Sequence, residues 1–318
     1  MNIHIITGSF FPELNPRAFR ATELALELAR KHTVTVTNFT YVEGFDYEKY
    51  GKEHHLQIKN IKAYFQAGNE RKDSTPARSR RLFKPAVTYF LAGSFFTKIA
   101  VVMKELHIAP DTDMVLSSSV PFLTHYTVAR FRRKHKEQFS KTIFIADSGD
   151  PFSTCQQFKK AVYFKWIEKF TYKSFDYLTL PCREAVAAYT SLCANNKIRI
   201  IPQGFNLDTC IADYSAHPVP HFAYAGVFYK GIRNPSFLFD YLLSLKTDSR
   251  FFLFLRKQDA ETTEILDKYI PLMKDRQRVV YALERTALIY ELSKMDFLVN
   301  IGNTTTTQIP SKIIDYAI

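Results

Sequence analysis

The chain has 318 residues, more than one typical domain, so two domains are the starting expectation. Hydrophobic residues make up 46% and charged residues 23%, which excludes a disordered chain, and 10 glycines with 14 prolines exclude a fibrous or low-complexity one. The net charge of +12 keeps nucleic acid, anionic membrane and phosphorylated small molecules open as partners. The excess gathers in RSRRLFK (78–84), RFRRKHK (130–136) and around 159–173.

Cys155, Cys182, Cys193 and Cys210 form no C-x-x-C pair, which argues against a zinc site or a disulfide scaffold and for thiols in a reducing cytosol. The N-terminus has no basic stretch ahead of a cleavable apolar run, so no signal peptide is expected. The longest uncharged apolar run, 85–97, is too short for a bilayer core of about 30 Å.

In chain order, strand and helix patterns alternate. NIHIITGSF (2–10) is rich in β-formers. Residues 17–31 place Ala18, Ala21, Leu24, Ala25 and Leu28 on one helical face, and 33–40 alternate with period two. A strand over 56–66 is followed by a variable basic segment, a helix over 86–106 and a strand over 113–119. A proline-led helix from 121, a buried strand running into ADSGDPF, a helix over 156–174, the strand YLTLPC, a helix over 183–193 and the strand KIRIIPQGF complete the first half. The proline-bearing stretch around 213–221 has no periodicity and reads as a linker. A second alternation then runs from FAYAGVF (222–228) to a last helix after 311. Alternating β and α elements imply parallel sheets with right-handed crossovers, and ligands bind beyond the carboxyl ends of such strands.

Four strand-end loops therefore draw the functional reading. Gly8 opens the loop TGSFFPELNPR, where helix-start N–H groups suit phosphate, although G-x-G-x-x-G and Walker signatures are absent and a structural turn is the even alternative. Asp147 and Asp150 end a buried strand, with helix capping as the plain reading of Asp150. His125 reads as a structural histidine. Lys230 and Arg233 follow a strand ending at Gly226, and two cations beside a helix start suit a diphosphate whose charge grows as a bond to it breaks. Ser311 and Lys312 offer the same at the last helix, with Asp315 one turn on as acceptor for ribose hydroxyls.

Together these stretches resemble the GT-B glycosyltransferases, specifically the family 4-like retaining enzymes of bacterial surface-polysaccharide (capsule, lipopolysaccharide) assembly. TGSFFPELNPRAFRATELALELARKHTVTVTN is similar to their N-terminal FPP…R…LA..L…H.V.V.T, FIADSGDPF to ADxRDPW, and IIPQGFNLD to IPNGFD. YAGVFYKGIRNPSFLF resembles YxGxxY…RxPxxLL, and the last 24 residues resemble ADxLVNxGN…xxPSKxxEYxA. The resemblance implies two Rossmann-like domains facing across a cleft: residues 1–213, a linker at 214–220, and a nucleotide-sugar domain over 221–318. That second domain is expected to be incomplete, since family members continue past this point.

The resemblance further implies hexosyl transfer from a nucleotide-diphosphate sugar to a glycan or lipid-linked acceptor, retaining configuration, with no metal and no cofactor. Arg233, Lys230, Ser311 and Lys312 would hold the donor diphosphate, with Gly8 approaching from the other domain. Asp315 matches the second Glu of the E-x7-E motif, Thr307 stands in place of the first, and Val227 replaces an arginine. Asp150, or Asp147, matches the acidic acceptor-facing position and is assigned the catalytic role. The expected setting is the cytoplasm, with peripheral contact to the anionic inner face of the plasma membrane through the basic, aromatic segment 78–99 and the cationic patches at 78–84 and 130–136. A catalytically inactive remnant and a GT-B sugar-nucleotide epimerase are the alternatives. No nucleic-acid-binding motif accompanies the charge.

Overall fold

The computed structural model describes residues 1–13, 15–66, 89–90, 95–119, 121–149, 151–153, 161–204, 211–228, 233–255, 258, 260–281, 283–302 and 312–317. It divides into two compact units, Met1–Phe205 and Asn206–Ile318.

The first unit is built on β1 (Asn2–Thr7), β2 (Thr33–Val42), β3 (Leu56–Gln66), β4 (Met114–Ser118), β5 (Ile143–Asp147), β6 (Tyr177–Leu180) and β7 (Ile198–Ile200). These pair in parallel in the order β3-β2-β1-β4-β5-β6-β7. Its helices are α1 (Pro16–Ala29), α2 (Tyr47–Glu53), α3 (Phe95–Glu105), α4 (Leu123–Lys134), α5 (Tyr163–Tyr172) and the single turn α6 (Val186–Tyr189). Period-two burial sorts β1 between two cores. Ile3 and Ile5 pack with Ala21 and Ala25 of α1, while Ile6 joins the opposite cluster with Val102, Val128 and Phe164 of α3, α4 and α5.

Two details depart from the sequence reading. Helix α2 was not anticipated, because YEKYGKE carries few apolar residues. Asp46 caps it by accepting from the Lys49 amide at 2.9 Å, and Lys52 donates to Glu48 at 2.6 Å one turn back. The helix expected over 183–193 shrinks to one turn, because the amides of both Leu192 and Cys193 turn back onto the Tyr189 carbonyl.

The second unit carries β8 (His221–Gly226), β9 (Arg250–Leu255), β10 (Gln277–Tyr281) and β11 (Phe297–Leu298) in the parallel order β10-β9-β8-β11. Its helices are α7 (Ser236–Ser244), α8 (Ala260–Met273), α9 (Arg285–Leu292) and α10 (Lys312–Ala317). Tyr224, Leu253 and Leu255 face α7 and α8, while Ala223, Ala225 and Phe254 face α9. Residues 214–220, expected as a linker, are fastened to this unit by Asp296. Its carboxylate accepts from Tyr214 Oη at 2.7 Å, from the His217 amide at 3.2 Å and from the His221 amide at 2.7 Å.

In both sheets the order reverses beside the first strand of the unit, between β1 and β4 and between β8 and β11. Such switch points open a crevice beyond the carboxyl ends of the strands.

Candidate functional site

The second unit's switch point lies where β8 ends at Gly226, whose φ of 151° suits a residue without a Cβ; one placed there would stand 3.1 Å from Tyr224 Oη. β11 pairs only as far as Ala223, and the Val299 amide reaches the Ala223 carbonyl at 2.7 Å. The Ala225 amide is therefore left without a strand partner. Tyr316 of α10 supplies one: its hydroxyl accepts from Ala225 N at 2.9 Å and donates to the Val299 carbonyl at 3.2 Å. One phenol thus spans the crevice and pins the helix that carries Lys312 and Asp315. Burial pushes its pKa up to about 12, so it stays a donor at neutral pH.

Beside it, Asp315 is buried and holds two cations. Arg285, the first residue of α9, donates to its Oδ1 through Nε at 3.1 Å and keeps Nη2 within ion-pair distance of the same oxygen, also at 3.1 Å, and Lys312 Nζ donates to Oδ2 at 2.9 Å. Two cations on one carboxylate leave a net positive cluster. Arg233 extends it, for the charges of Asp315 and Arg233 both bear on the Tyr316 phenol. Its Nη1 also reaches the Val227 carbonyl just past β8 at 3.5 Å. The structure thus gathers Arg233, Lys312 and Asp315 at one carboxyl edge, as the sequence grouped them. It adds Arg285 and Tyr316, which sequence reasoning missed. Lys230 and Ser311 lie outside the described residues.

Loss of the Tyr316 hydroxyl is expected to strand the buried Ala225 amide. Tyr316→Phe should cost about 1–3 kcal/mol locally, read as faster hydrogen exchange of that amide, while amides in β9 keep their protection.

In the first unit, Gly8 sits under Pro121; a Cβ on it would lie 1.9 Å from Pro121 Cδ, so close packing alone requires the glycine. The helix start that follows is already capped, because Asn15 Oδ1 accepts from the amides of Arg17 and Ala18 at 3.0 and 2.9 Å. Asp147 is buried in a two-pronged ion pair. Arg20 Nε and Nη2 donate to its two oxygens at 2.7 and 2.6 Å, and Thr179 Oγ1 donates at 2.7 Å. Arg20 further donates to the carbonyls of Ile201 and Pro202, tying α1 to the ends of β5, β6 and β7. Asp150 lies outside the described residues. His125 is fully buried and bridges Ser117 and Ser148 at 2.8 Å on each ring nitrogen. Burial lowers its pKa to about 3, so it is neutral.

Among the described residues, His217, His221 and Asp296 form one group whose ligand atoms lie within 4.8 Å of each other. It stands at the amino end of β8, away from the crevice, and both Asp296 oxygens already accept two hydrogen bonds each.

Comparison with solved structures decides the architecture. HepE from Anabaena, determined in complex with UDP, superposes with a TM-score of 0.62 at 10% identity, covering 99% of this chain and 78% of that one. The fold is GT-B. The catalytic domain of starch synthase IV from Arabidopsis thaliana, bound to ADP and acarbose, gives a TM-score of 0.60 at 9% identity, covering 99% and 81%. The lipopolysaccharide outer core galactosyltransferase WaaB, in its apo form, gives 0.55 at 12%, covering 100% and 79%. No known family profile and no curated protein sequence matches the chain.

Proposed function

We propose that this GT-B protein is a glycosyltransferase that takes its sugar from a nucleotide-diphosphate donor. The carrying observation is the positive charge at the second switch point, where Arg285 and Lys312 pair with Asp315 and Arg233 stands near the Tyr316 phenol and the Val227 carbonyl. A diphosphate leaving group gains negative charge as the C1–O bond breaks, and fixed cations at that place favour the transition state over the bound donor. Arg233 and Lys312, with Lys230 and Ser311, hold the phosphates, and Asp315 accepts from the ribose hydroxyls once Lys312 turns to the donor. HepE with UDP and starch synthase IV with ADP support a nucleoside diphosphate as the ligand class.

The finer reading is retaining hexosyl transfer without a metal, since side-chain cations supply the charge. With retention the acceptor hydroxyl bonds to C1 on the face the diphosphate leaves, and its proton passes to the departing phosphate oxygen. The acceptor is a glycan or a lipid-linked glycan, in line with the WaaB likeness, and Asp150 is the acidic residue assigned to face it. In this reading Asp147 acts by holding the loop that carries Asp150.

The test incubates the purified chain, in EDTA, with UDP-, ADP- and GDP-sugars and a mixture of oligosaccharide and lipid-linked acceptors. Release of nucleoside diphosphate with an acceptor heavier by one sugar is expected. A donor whose sugar is only epimerised would replace the transferase reading, and a strict need for added metal would remove the metal-independent one.

A further inference from the structure

No helix among the described residues is long and apolar enough to cross a membrane, yet one helix of the first unit turns an aromatic face to solvent. In α5 the side chains of Phe164, Glu168, Thr171 and Tyr172 are buried. The opposite face exposes Trp166 by 73% and Phe170 by 54%, with Tyr163 beside them and Val162, 74% exposed, just ahead of the helix. Lys165, Lys169 and Lys173 are exposed between and beyond these rings. The only carboxylate of the helix, Glu168, points inward and accepts from the amides of Phe152 and Ser153 and from the Ser153 hydroxyl. The outward face therefore carries cations and aromatic rings and no anion.

Neighbouring elements extend it. Arg133 of α4 lies over the Phe170 ring at 4.0 Å. At the other end the Ala161 amide donates to the Tyr89 carbonyl at 2.9 Å, and exposed Phe90 packs edge-on against Tyr89.

We propose that this face of α5, with Phe170, Trp166 and Tyr163 as its apolar centre and Lys165, Lys169, Lys173 and Arg133 as its charged border, docks on an anionic lipid bilayer. Tryptophan and tyrosine favour the boundary where one end of the ring is apolar and the other wet. Lysine stems lie along apolar surface while their ammonium groups reach lipid phosphates. Charge complementarity selects this occupant over a second copy of the chain, because a self-complementary pairing would set lysine against lysine with no carboxylate between them. The sequence shows the cations around 159–173, while the expected membrane contact falls on 78–99 and on the patches at 78–84 and 130–136. Residues 78–84 lie outside the described residues, and α5 supplies the apolar part.

Trp166 is the sole tryptophan of the chain and so reports directly on this face. The experiment mixes the full chain with vesicles of phosphatidylcholine alone, or with added phosphatidylglycerol, and follows Trp166 emission and its quenching by lipids brominated on the acyl chain. A blue shift and quenching are expected with the anionic vesicles only, fading at high salt. Lys165→Glu with Lys169→Glu reverses two charges and should weaken binding by about a hundredfold or more. Phe170→Ser should weaken it by about tenfold with the tryptophan intact. All three side chains are exposed, so the urea midpoint should stay at the wild-type value; Lys165→Gln with Lys169→Gln serves as the milder pair should it move. Absence of a shift, equal response to neutral vesicles, or wild-type affinity in the charge-reversed chain would overturn the proposal. A shift that follows protein concentration without lipid would assign the face to a second copy instead.

Discussion

Asp147→Ala is expected to lower the stability of the first unit by about 3–5 kcal/mol, because it leaves the Arg20 guanidinium buried without its counter-charge. At that size the unfolding temperature falls by roughly 10 °C. Replacing both partners, Arg20→Met with Asp147→Leu, should recover most of the loss, since a well-packed apolar pair avoids the desolvation penalty of both ions. Trp166 lies in this unit and reports its unfolding in urea. A further variant, Asp147→Asn, separates two readings of Asp147. A clamp predicts that Asp147→Asn loses stability and activity together. A catalytic carboxylate predicts lost turnover at wild-type stability.

Acidification is expected to destabilise the same unit well before its surface carboxylates are protonated. His125 and His4 are both buried and neutral, with pKa values lowered from 6.5 to about 3 and about 4, respectively. Burial is the main cause for each. For His125, Asp147 opposes the shift and Arg17 adds to it; for His4, Lys59 and His107 add to it. The unfolded chain binds these two protons at pH 6.5, whereas the folded chain refuses them until about pH 4 and pH 3. Stability is therefore fully present above pH 6.5 and is lost as the pH falls through that window. At pH 4 His125 alone withdraws about 3 kcal/mol, at roughly 1.4 kcal/mol per pH unit. His125→Gln, which cannot take the proton, should roughly halve this slope between pH 6.5 and 4, His4 supplying the remainder. An unchanged slope in that variant would show that the proton uptake lies elsewhere.

The strands were legible because their burial obeys the simplest rule. Ile3 and Ile5 against Ile6, or Ala223 and Ala225 against Tyr224, alternate between two covered faces, and the sequence shows that period directly. The gathering of cations at the candidate site was legible for a related reason, since Arg233 and Lys312 stand where strand-to-helix loops must place them. Arg285 and Tyr316 escaped notice because their roles depend on long-range partners. Arg285 meets Asp315 thirty residues away, and Tyr316 reaches an amide ninety-one residues back. The pairing of Arg20 with Asp147 spans 127 residues, so the pattern around the strand end does not show that this carboxylate has a cation of α1 against it. Local pattern shows which edge of a sheet gathers charged loop residues; it does not show which charges on that edge neutralise one another.

Binding of a nucleoside diphosphate at the second switch point is the step on which the proposed activity depends. Calorimetric titration of the full chain with UDP, ADP and GDP, repeated on Arg233→Ala, measures it directly. At least one diphosphate should bind at a single site, and Arg233→Ala should weaken it about ten- to hundredfold, the worth of one charge-assisted bond, with the urea midpoint unchanged. Failure of all three to bind, or wild-type affinity in Arg233→Ala, would contradict the assignment of this edge as the donor site.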